Sequence, residues 1–185
     1  INNIGMSSGK WYVEVLFSGS ATAQMLVGIS DRESQGGTHY LGSQSYEYSY
    51  YNYNGKSING TTQSSYGNTF TQNDIIGIAL DLDNSKLYFS KNGTFQNSGV
   101  PTSGSTGTGA ISITAVGSTQ NDFYFFGAGD YSSSYATTYI WNFGQEGTFS
   151  GNVSAGNNKD SNGIGNFKYS VPSGYLALCT KNLGS

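Results

Sequence analysis

Apolar and polar residues alternate along several short stretches of this chain, which is the pattern of β-strands. The two faces of Lys10–Leu16 carry Trp11, Val13 and Val15 on one side and Tyr12, Glu14 and Leu16 on the other. The next run, Ala23–Ile29, places Met25, Val27 and Ile29 on one face. No stretch has convincing helical periodicity, so the pattern predicts an all-β chain.

The clearest predicted element is a β-hairpin over Asp74–Ser90. Its first strand has an apolar residue at every second position: Ile76, Ile78, Leu80 and Leu82. The turn is Asp83-Asn84-Ser85, and the second strand places Leu87 and Phe89 on the same core face. Residues that share a strand face with matching apolar partners are expected to be buried. The predicted core therefore includes Trp11, Val13, Ile76, Ile78, Leu80 and Phe89.

Further strands are predicted at spacings typical of a sandwich. They are Ile111–Val116, Asp122–Phe126, Thr138–Phe143 and Gly174–Thr180. Two long polar stretches, Asn97–Gly109 and Glu146–Asn166, are too poor in apolar residues to add much core and are expected to be surface loops. The predicted fold class is all-β, a two-sheet antiparallel β-sandwich, and the pattern leaves the strand order open.

Composition agrees with short strands and many turns, and it excludes several classes of partner. The chain contains 27 Gly and 15 Tyr but only 2 Pro. Charged residues make up 10% of it, the net charge is -3, and no apolar run reaches the ~18 residues of a membrane-spanning helix. We expect no nucleic-acid partner and no membrane insertion, because a basic surface is missing.

The length fits one domain, and residues 1–183 are assigned to a single β-sandwich. The chain starts at Ile1 without an initiator Met or a signal peptide, so we interpret it as a mature product or, preferably, a segment of a larger polypeptide. Gly184-Ser185 would fit a cloning scar. Cys179 is the single cysteine and is expected to act as a small buried hydrophobe.

Several short pieces stand in a characteristic order along the chain. They are SGKWYVEV at 8–15, VGI at 27–29, DIIGIALDLD at 74–83 with LYFSKNG at 87–93, and WNFGQ at 141–145. In content and order they resemble the SPRY domain, a β-sandwich interaction module related in fold to the concanavalin-like lectins. The resemblance implies a concanavalin-like jelly roll whose role is binding.

The C-terminal part has a narrower resemblance. Its pieces are NFGQ at 142–145, TFSGN at 148–152, NFKY at 166–169 and VPSGYLALCTKNL at 171–183. These are similar to SPRY-type segments inside large bacteriophage virion proteins, particularly those of marine phages. The resemblance implies a virion or tail module, extracellular on the virion surface, whose partners are neighbouring virion subunits and a host surface polysaccharide or protein. The partner-binding loops of eukaryotic members do not match this chain, so no binding residue is carried over from them.

Candidate catalytic residues are few, and we expect no enzyme activity. The single histidine, His39, lies in a turn-like stretch without a Ser or Cys motif beside it. Asp81 and Asp83 share a strand face, as the two carboxyl groups of a glycosidase would require, but they lead into a turn, where Asp is favoured for local hydrogen bonds. The hairpin interpretation of these two residues is preferred, and no residue is assigned a catalytic role.

One short segment has the beginning of a calcium-binding pattern. Asn158, Asp160 and Asn162 place oxygen-bearing side chains at alternate positions before Gly163. The bidentate Glu that closes such a loop is missing, since Tyr169 stands in its place. The preferred interpretation is a tight Asn/Gly turn and no cofactor, with calcium as the minority alternative.

Tyrosines are concentrated in two otherwise polar segments, Tyr46–Tyr53 and Asp130–Tyr135. An aromatic residue in a polar loop has little core to enter, and its ring packs well on the C–H face of a sugar or on a peptide. The predicted shallow glycan or peptide site contains Asp130, Tyr131, Tyr135, Tyr48, Tyr50 and Tyr51. The alternative is structural: Tyr46–Tyr50 alternates as a strand does, and Tyr131 would then anchor its own loop.

Two functions from different classes remain open on the sequence. The leading hypothesis is a non-enzymatic recognition module of a phage virion or tail protein, supported by the resemblance and by a Tyr, Ser, Gly and Asn content like that of antibody loops. The runner-up is a purely structural virion domain, a decoration or a spacer, that binds no ligand.

Overall fold

The computed structural model describes residues 4–19, 24–32, 39–132, 134 and 137–183, which form twelve strands and three short helices. The strands are Lys10–Gly19 (β1), Met25–Ser30 (β2), Glu47–Tyr51 (β3), Lys56–Asn59 (β4), Thr62–Ser65 (β5), Ile75–Asp81 (β6), Lys86–Lys91 (β7), Thr94–Phe95 (β8), Ile111–Ser112 (β9), Phe125–Asp130 (β10), Thr137–Asn142 (β11) and Leu176–Ala177 (β12). Pro101–Thr106 and Val116–Ser118 are 3₁₀ helices, and Thr180–Leu183 is a single α-helical turn, α1. The predicted fold class, an all-β two-sheet antiparallel β-sandwich, is confirmed.

The chain divides into two compact units, and the first contains a five-stranded sheet. This unit comprises Ile1–Ser8, Ser18–Gln72 and Ile113–Thr138. Its strand order is β10-β2-β3-β4-β5, and every neighbouring pair is antiparallel. A Cβ atom on Gly28 in β2 would lie 1.9 Å from the carbonyl oxygen of Tyr48, so only glycine permits this close approach to β3.

The second unit is built on a larger sheet and comprises Gly9–Phe17, Asn73–Ser112 and Tyr139–Ser185. Its strand order is β11-β1-β6-β7-β8, with β9 beside β7 and β12 parallel to β1. The predicted hairpin is confirmed as β6 and β7, which pair Ile78 with Phe89 and Leu80 with Leu87. The predicted core residues are all 0–7% exposed: Trp11, Val13, Ile76, Ile78, Leu80 and Phe89.

Residues 142–183, here called the C-terminal segment, pack on the second sheet. They bury the side of β1 that carries Tyr12 and Leu16. One apolar cluster contains Tyr12, Ala79, Tyr88, Phe167, Tyr175 and Ala177. A second contains Leu16, Ile75 and Phe149. The rings of Tyr12 and Phe167 meet edge to face, with 5.2 Å between their centroids. Both faces of β1 are therefore buried, which explains why Trp11–Phe17 has no exposed position.

Between these two clusters β1 carries a buried carboxylate, Glu14, which is 0% exposed. Its Oε1 accepts hydrogen bonds from the backbone N–H of Tyr169 at 2.8 Å and the hydroxyl of Tyr12 at 3.2 Å. Its Oε2 accepts from the backbone N–H of Lys168 at 2.8 Å and the side-chain amide of Asn142 at 3.3 Å. Burial raises the pKa of Glu14 above its ordinary value, and these donors offset part of that effect.

A second carboxylate, Asp160, organises the C-terminal segment itself. Its Oδ1 accepts the backbone N–H groups of Asn162 at 2.9 Å and Ile164 at 2.8 Å. Its Oδ2 accepts the N–H of Ala177 at 2.9 Å and the side-chain amide of Asn182 at 2.7 Å. Burial by itself would raise the pKa of Asp160, but the donors together outweigh it, so this pKa lies below its ordinary value.

Several predicted elements are shorter than expected or shifted. The strand predicted over Ile111–Val116 is wrong beyond Ser112, and the one predicted over Asp122–Phe126 starts only at Phe125. The strand predicted over Gly174–Thr180 shrinks to β12 and ends before α1. In the described part of the chain, no helix is long and apolar enough to cross a bilayer.

The two stretches expected to be surface loops are partly ordered and partly buried. The first contains the 3₁₀ helix Pro101–Thr106. The second contributes Phe149, which is 1% exposed and packs with Leu16 and Ile75. The expectation that this stretch adds little core is therefore wrong at Phe149, because a lone aromatic in a polar stretch can still be inserted against a sheet that lies far away in sequence.

The core assignment predicts a large loss of stability for Trp11→Ala. Trp11 is 7% exposed, so truncation should lower the free energy of unfolding by about 3–5 kcal/mol, measured by urea denaturation. Phe123→Ala is the matched control, because this aromatic side chain is 43% exposed and should matter much less. An unchanged melting temperature for Trp11→Ala would show that the assignment of the face is wrong.

The contacts of Asp160 predict a stability that depends on pH. A carboxyl group whose pKa is lowered by folding stabilises the protein above its unfolded pKa, and this contribution is lost as pH falls through the folded pKa. Asp160→Asn should therefore lower the free energy of unfolding by about 1–3 kcal/mol at neutral pH, since an amide N–H would face N–H donors. The difference from wild type should shrink as the pH is lowered from 6 towards ~2 in urea titrations.

Asp122→Asn is the control for this titration. Asp122 is exposed, and the substitution should change the free energy of unfolding little at any pH. A deficit of the Asp160→Asn variant that stays constant down to the lowest pH would contradict the role assigned to the charged carboxylate.

Candidate functional site

Four tyrosine rings form a continuous aromatic surface in the first unit, here called the tyrosine surface: Tyr40, Tyr51, Tyr53 and Tyr131. The rings of Tyr51 and Tyr131 stack, with centroids 5.0 Å apart and planes inclined by 21°. Tyr40 lies against the ring of Tyr131 at 4.4 Å, and Tyr53 lies 6.0 Å from Tyr51. Each ring is thus in contact with at least one other.

The sheet order explains why residues so far apart in sequence meet here. Strand β2 pairs antiparallel with both β3 and β10, matching Leu26 to Tyr51 and Met25 to Asp130. The ends of β3 and β10 therefore both lie beside the start of β2. The backbone N–H of Tyr131 donates to the carbonyl of Gln24 at 2.8 Å, and the hydroxyl of Tyr51 donates to Oε1 of Gln24 at 2.7 Å.

The tyrosine surface rests on an apolar cluster of the same unit. That cluster consists of Leu26, Leu41, Tyr51 and Ile58, and the partly buried rings of Tyr40 and Tyr131 pack against it. This apolar support holds one side of the Tyr40 and Tyr131 rings in place, and both residues remain partly exposed.

The segment that carries Tyr40 is held by a buried carboxylate. Glu47 is 1% exposed, and its Oε2 accepts the backbone N–H groups of Gly42 at 3.0 Å and Gln44 at 3.2 Å. The side-chain amide of Asn59 donates to the backbone carbonyl of Glu47 at 2.8 Å. These bonds fix the turn after Tyr40, so this residue joins the surface in a defined position.

The exposed ring of the surface is Tyr53, which is 67% exposed, while Tyr40 and Tyr131 are half-buried. Burial, followed by the nearby hydroxyl of Tyr131, raises the pKa of Tyr40, so its hydroxyl stays protonated at neutral pH. Asp130 is half-exposed and directly precedes Tyr131 in the chain. The surface thus combines ring faces with hydroxyl groups, a set that suits shallow contacts with an uncharged ligand.

The structure separates the predicted ligand-binding residues into three groups. Asp130 and Tyr131 lie at the tyrosine surface, and Tyr51 connects the two predicted segments there, although it is only 4% exposed. Tyr48 and Tyr50 are 6% and 0% exposed and belong to the interior. Tyr135 lies outside the described residues.

The burial of Tyr48 and Tyr50 corrects their assignment as contact residues. The hydroxyl of Tyr48 bonds with Oγ1 of Thr114 at 3.0 Å, whereas Tyr50 donates to the carbonyl of Asn68 and its ring packs on that of Phe70. These tyrosines are strand residues whose side chains point inward, because β3 is buried along its whole length. Tyr51 provides support rather than exposed contact area.

Two residues of the tyrosine surface, Tyr40 and Tyr53, were not among the predicted contact residues. Both lie in polar segments, which is the criterion that selected Tyr131. Tyr40 follows His39 in a Gly-rich stretch, and Tyr53 closes the tyrosine run. The sequence signal was thus present for both residues, but it does not indicate which tyrosines of a run point outward.

The candidate catalytic residues take structural or isolated positions. His39 is exposed, and Nδ1 of its ring lies 3.4 Å from the side-chain amide of Gln44. Asp81 accepts two hydrogen bonds from Asn84 and pairs with Lys10 at 3.0 Å. These contacts are those of a hairpin turn, as the preferred interpretation of Asp81 expected.

The calcium alternative does not fit the contacts of its segment. All four hydrogen bonds to the side-chain carboxylate of Asp160 come from N–H donors, which present positive charge where a cation would have to lie. The amide of Asn162 donates to Asn182 at 3.0 Å, and that of Asn158 donates to the carbonyl of Lys168 at 3.1 Å. Across the described ranges, no three His, Cys, Asp or Glu side chains form a group that could hold a metal.

Comparison with known proteins agrees with the architecture. A profile of the SPRY domain matches residues 10–121, while no curated protein matches the chain. SPRY domains are generally non-catalytic modules that mediate protein–protein interactions. The match covers more than half of the 185 residues, and this chain therefore belongs to the SPRY domain family.

Proposed function

We propose that this SPRY domain is a non-enzymatic recognition module of a bacteriophage virion or tail protein. In this role the tyrosine surface contacts a polysaccharide or a protein on the host surface. The domain acts as a segment of a larger polypeptide on the virion surface, outside the cell, where other faces meet neighbouring virion subunits.

The observation that supports recognition is the exposure of Tyr53 on an ordered aromatic surface. At 67% its exposure exceeds that of the other large apolar side chains exposed in the described residues, which are 43–44% exposed. Its ring is joined through the buried ring of Tyr51 to Tyr131, so the area offered to a ligand comes from Tyr53 and from the half-buried rings of Tyr131 and Tyr40. Preorganised aromatic side chains lose little conformational entropy on binding, which favours contact with shallow ligands.

The support for the phage setting comes from the C-terminal segment. Residues 142–183 are similar to SPRY-type segments of phage virion proteins, and they lie beyond the region that the family profile matches. In the structure this segment is part of the core of the second unit, where it contributes Phe149, Phe167 and Tyr175. It is therefore an integral part of the domain, as a family-specific extension would be.

The support for a non-enzymatic role is the environment of two buried carboxylates and of the single histidine. Glu14 and Asp160 are surrounded by donors that hold the fold together. His39 lies beside an amide and has neither a nucleophile nor a carboxylate among its described hydrogen-bond partners. We expect the folded domain to be inert towards esterase, glycosidase and peptidase substrates.

The proposal predicts that Tyr53→Ala abolishes most host binding without loss of stability. Wild type and variant are tested against a panel of bacterial surface polysaccharides and whole bacterial cells. Loss of the exposed ring should weaken binding at least about tenfold. Tyr53→Phe should retain most of the affinity if the ring face makes the contact. Tyr131→Phe removes the hydroxyl of a second ring of the tyrosine surface and tests whether that hydroxyl contributes to the affinity.

Phe123→Ala is the matched control, since it removes another exposed aromatic side chain of the same unit. It should bind like wild type. Equal binding by Tyr53→Ala and wild type would exclude the tyrosine surface as the site. If wild type binds neither polysaccharides nor cells, the structural alternative, a decoration or spacer domain, replaces the proposal.

A further inference from the structure

A cavity lies in the second unit, between the end of β11 and strand β12, and opens to solvent. Its volume is about 170 Å³. Its walls are formed by Phe143, Gly144, Gln145, Ile164, Gly165, Ala177 and Cys179. Gln145 is the one polar side chain among these residues, none is charged, and most of the lining surface is apolar, so the cavity suits an apolar occupant. An apolar cavity of ~150 Å³ is large enough for a benzene ring, so this one can take a single Leu or Phe side chain.

Two walls of the cavity are glycine backbone. Gly144 and Gly165 have φ angles of 102° and 95°, which other residues rarely adopt. A Cβ atom on Gly165 would lie 2.8 Å from the ring of Phe167. The ring of Phe143 stacks on that of Trp141, with 5.4 Å between the centroids and planes inclined by 11°. A side chain at either glycine would take up space that the cavity now offers.

Beside the cavity, the outer edge of β11 is paired with a side chain where another strand would lie. Among the described strands, β11 has β1 as its neighbour on one side only. At the end of β11, the amide of Gln145 donates to the carbonyl of Trp141 at 2.8 Å and accepts the N–H of Phe143, the residue after the strand, at 2.6 Å. A residue of an added parallel strand makes the same two bonds, to the carbonyl of one residue and the N–H two residues later. The Gln145 amide thus makes the two hydrogen bonds that a residue of an added parallel strand would make.

We propose that the edge of β11 and this cavity together form a docking site for an extended peptide segment of a partner protein. The segment pairs with the carbonyl of Trp141 and the N–H of Phe143, and one of its apolar side chains enters the cavity. The site lies in the second unit, and it does not depend on the function proposed for the tyrosine surface of the first.

The replacement of Gln145 by a peptide is close to an even exchange of hydrogen bonds. Gln145 is exposed, so its amide returns to water when the peptide takes over its two bonds. Net affinity then comes from the apolar side chain in the cavity, while Gln145 competes with the peptide for the edge. Removal of the Gln145 side chain should therefore strengthen binding, and filling of the cavity should weaken it.

The experiment uses the whole chain and an mRNA-displayed library of random ten-residue peptides as the probe. Selected peptides are synthesised, and their Kd values are measured for wild type and variants. We expect a consensus with one Leu, Ile or Phe position and no Pro beside it. Gln145→Ala should lower Kd several-fold, and Cys179→Phe, which fills the cavity, should raise it at least tenfold.

Ile164→Phe is a second filling variant, so one poorly folded protein does not decide the result. Val100→Phe, an exposed residue outside the cavity wall, is the matched control and should leave Kd unchanged. Tyr53→Ala should also leave it unchanged, which separates this site from the tyrosine surface. In hydrogen-exchange NMR the bound peptide should slow exchange of the Phe143 N–H.

Three results would overturn the proposal. The first is a selection that enriches no peptide above an uncoated control, and the second is unchanged affinity for both filling variants. The third is weaker binding by Gln145→Ala, which would show that the Gln145 side chain is itself a contact rather than a competitor.

Discussion

The burial of one carboxylate, Glu14, is the constraint on which the second unit depends. A charged group inside a protein is tolerated only when donors replace its water, and the cost of leaving it unpaired is several kcal/mol. The backbone N–H groups of Lys168 and Tyr169 and the amide of Asn142 supply most of that replacement, although they follow Glu14 by 128–155 residues in the chain. The C-terminal segment is therefore bound to β1 by a requirement for hydrogen bonds as well as by apolar contact.

The same segment builds its own order from a second carboxylate and then forms the cavity. Asp160 joins the turn that contains Ile164 to β12 and α1 through its bonds to Ala177 and Asn182. Ile164 and Ala177 are both cavity walls. The family profile matches residues 10–121, so this part of the unit follows the matched region. Polar contacts rather than a long strand hold it on the sheet.

In the first unit the decisive feature is strand order. Because β2 lies between β3 and β10, the ends of those two strands meet, and Tyr51 stacks on Tyr131. Neither polar segment would make a surface alone, since most of the tyrosine run is buried in β3. The carboxylate of Glu47 adds Tyr40 to the surface by ordering its turn. The tyrosine surface is formed where strand ends, rather than one long loop, come together.

The amino-acid sequence by itself determined the all-β class, the hairpin of β6 and β7 and the six predicted core residues of β1, β6 and β7. These features could be predicted because alternation and turn residues act over a few positions. The sequence did not reveal β4 and β5, since Thr62–Ser65 is polar and wholly exposed and carries no alternation. Only the tertiary structure decided which tyrosines point inward, which donors reach Glu14, and where Gln145 meets the edge of β11. Those outcomes depend on strand order and long-range packing, which local patterns do not encode.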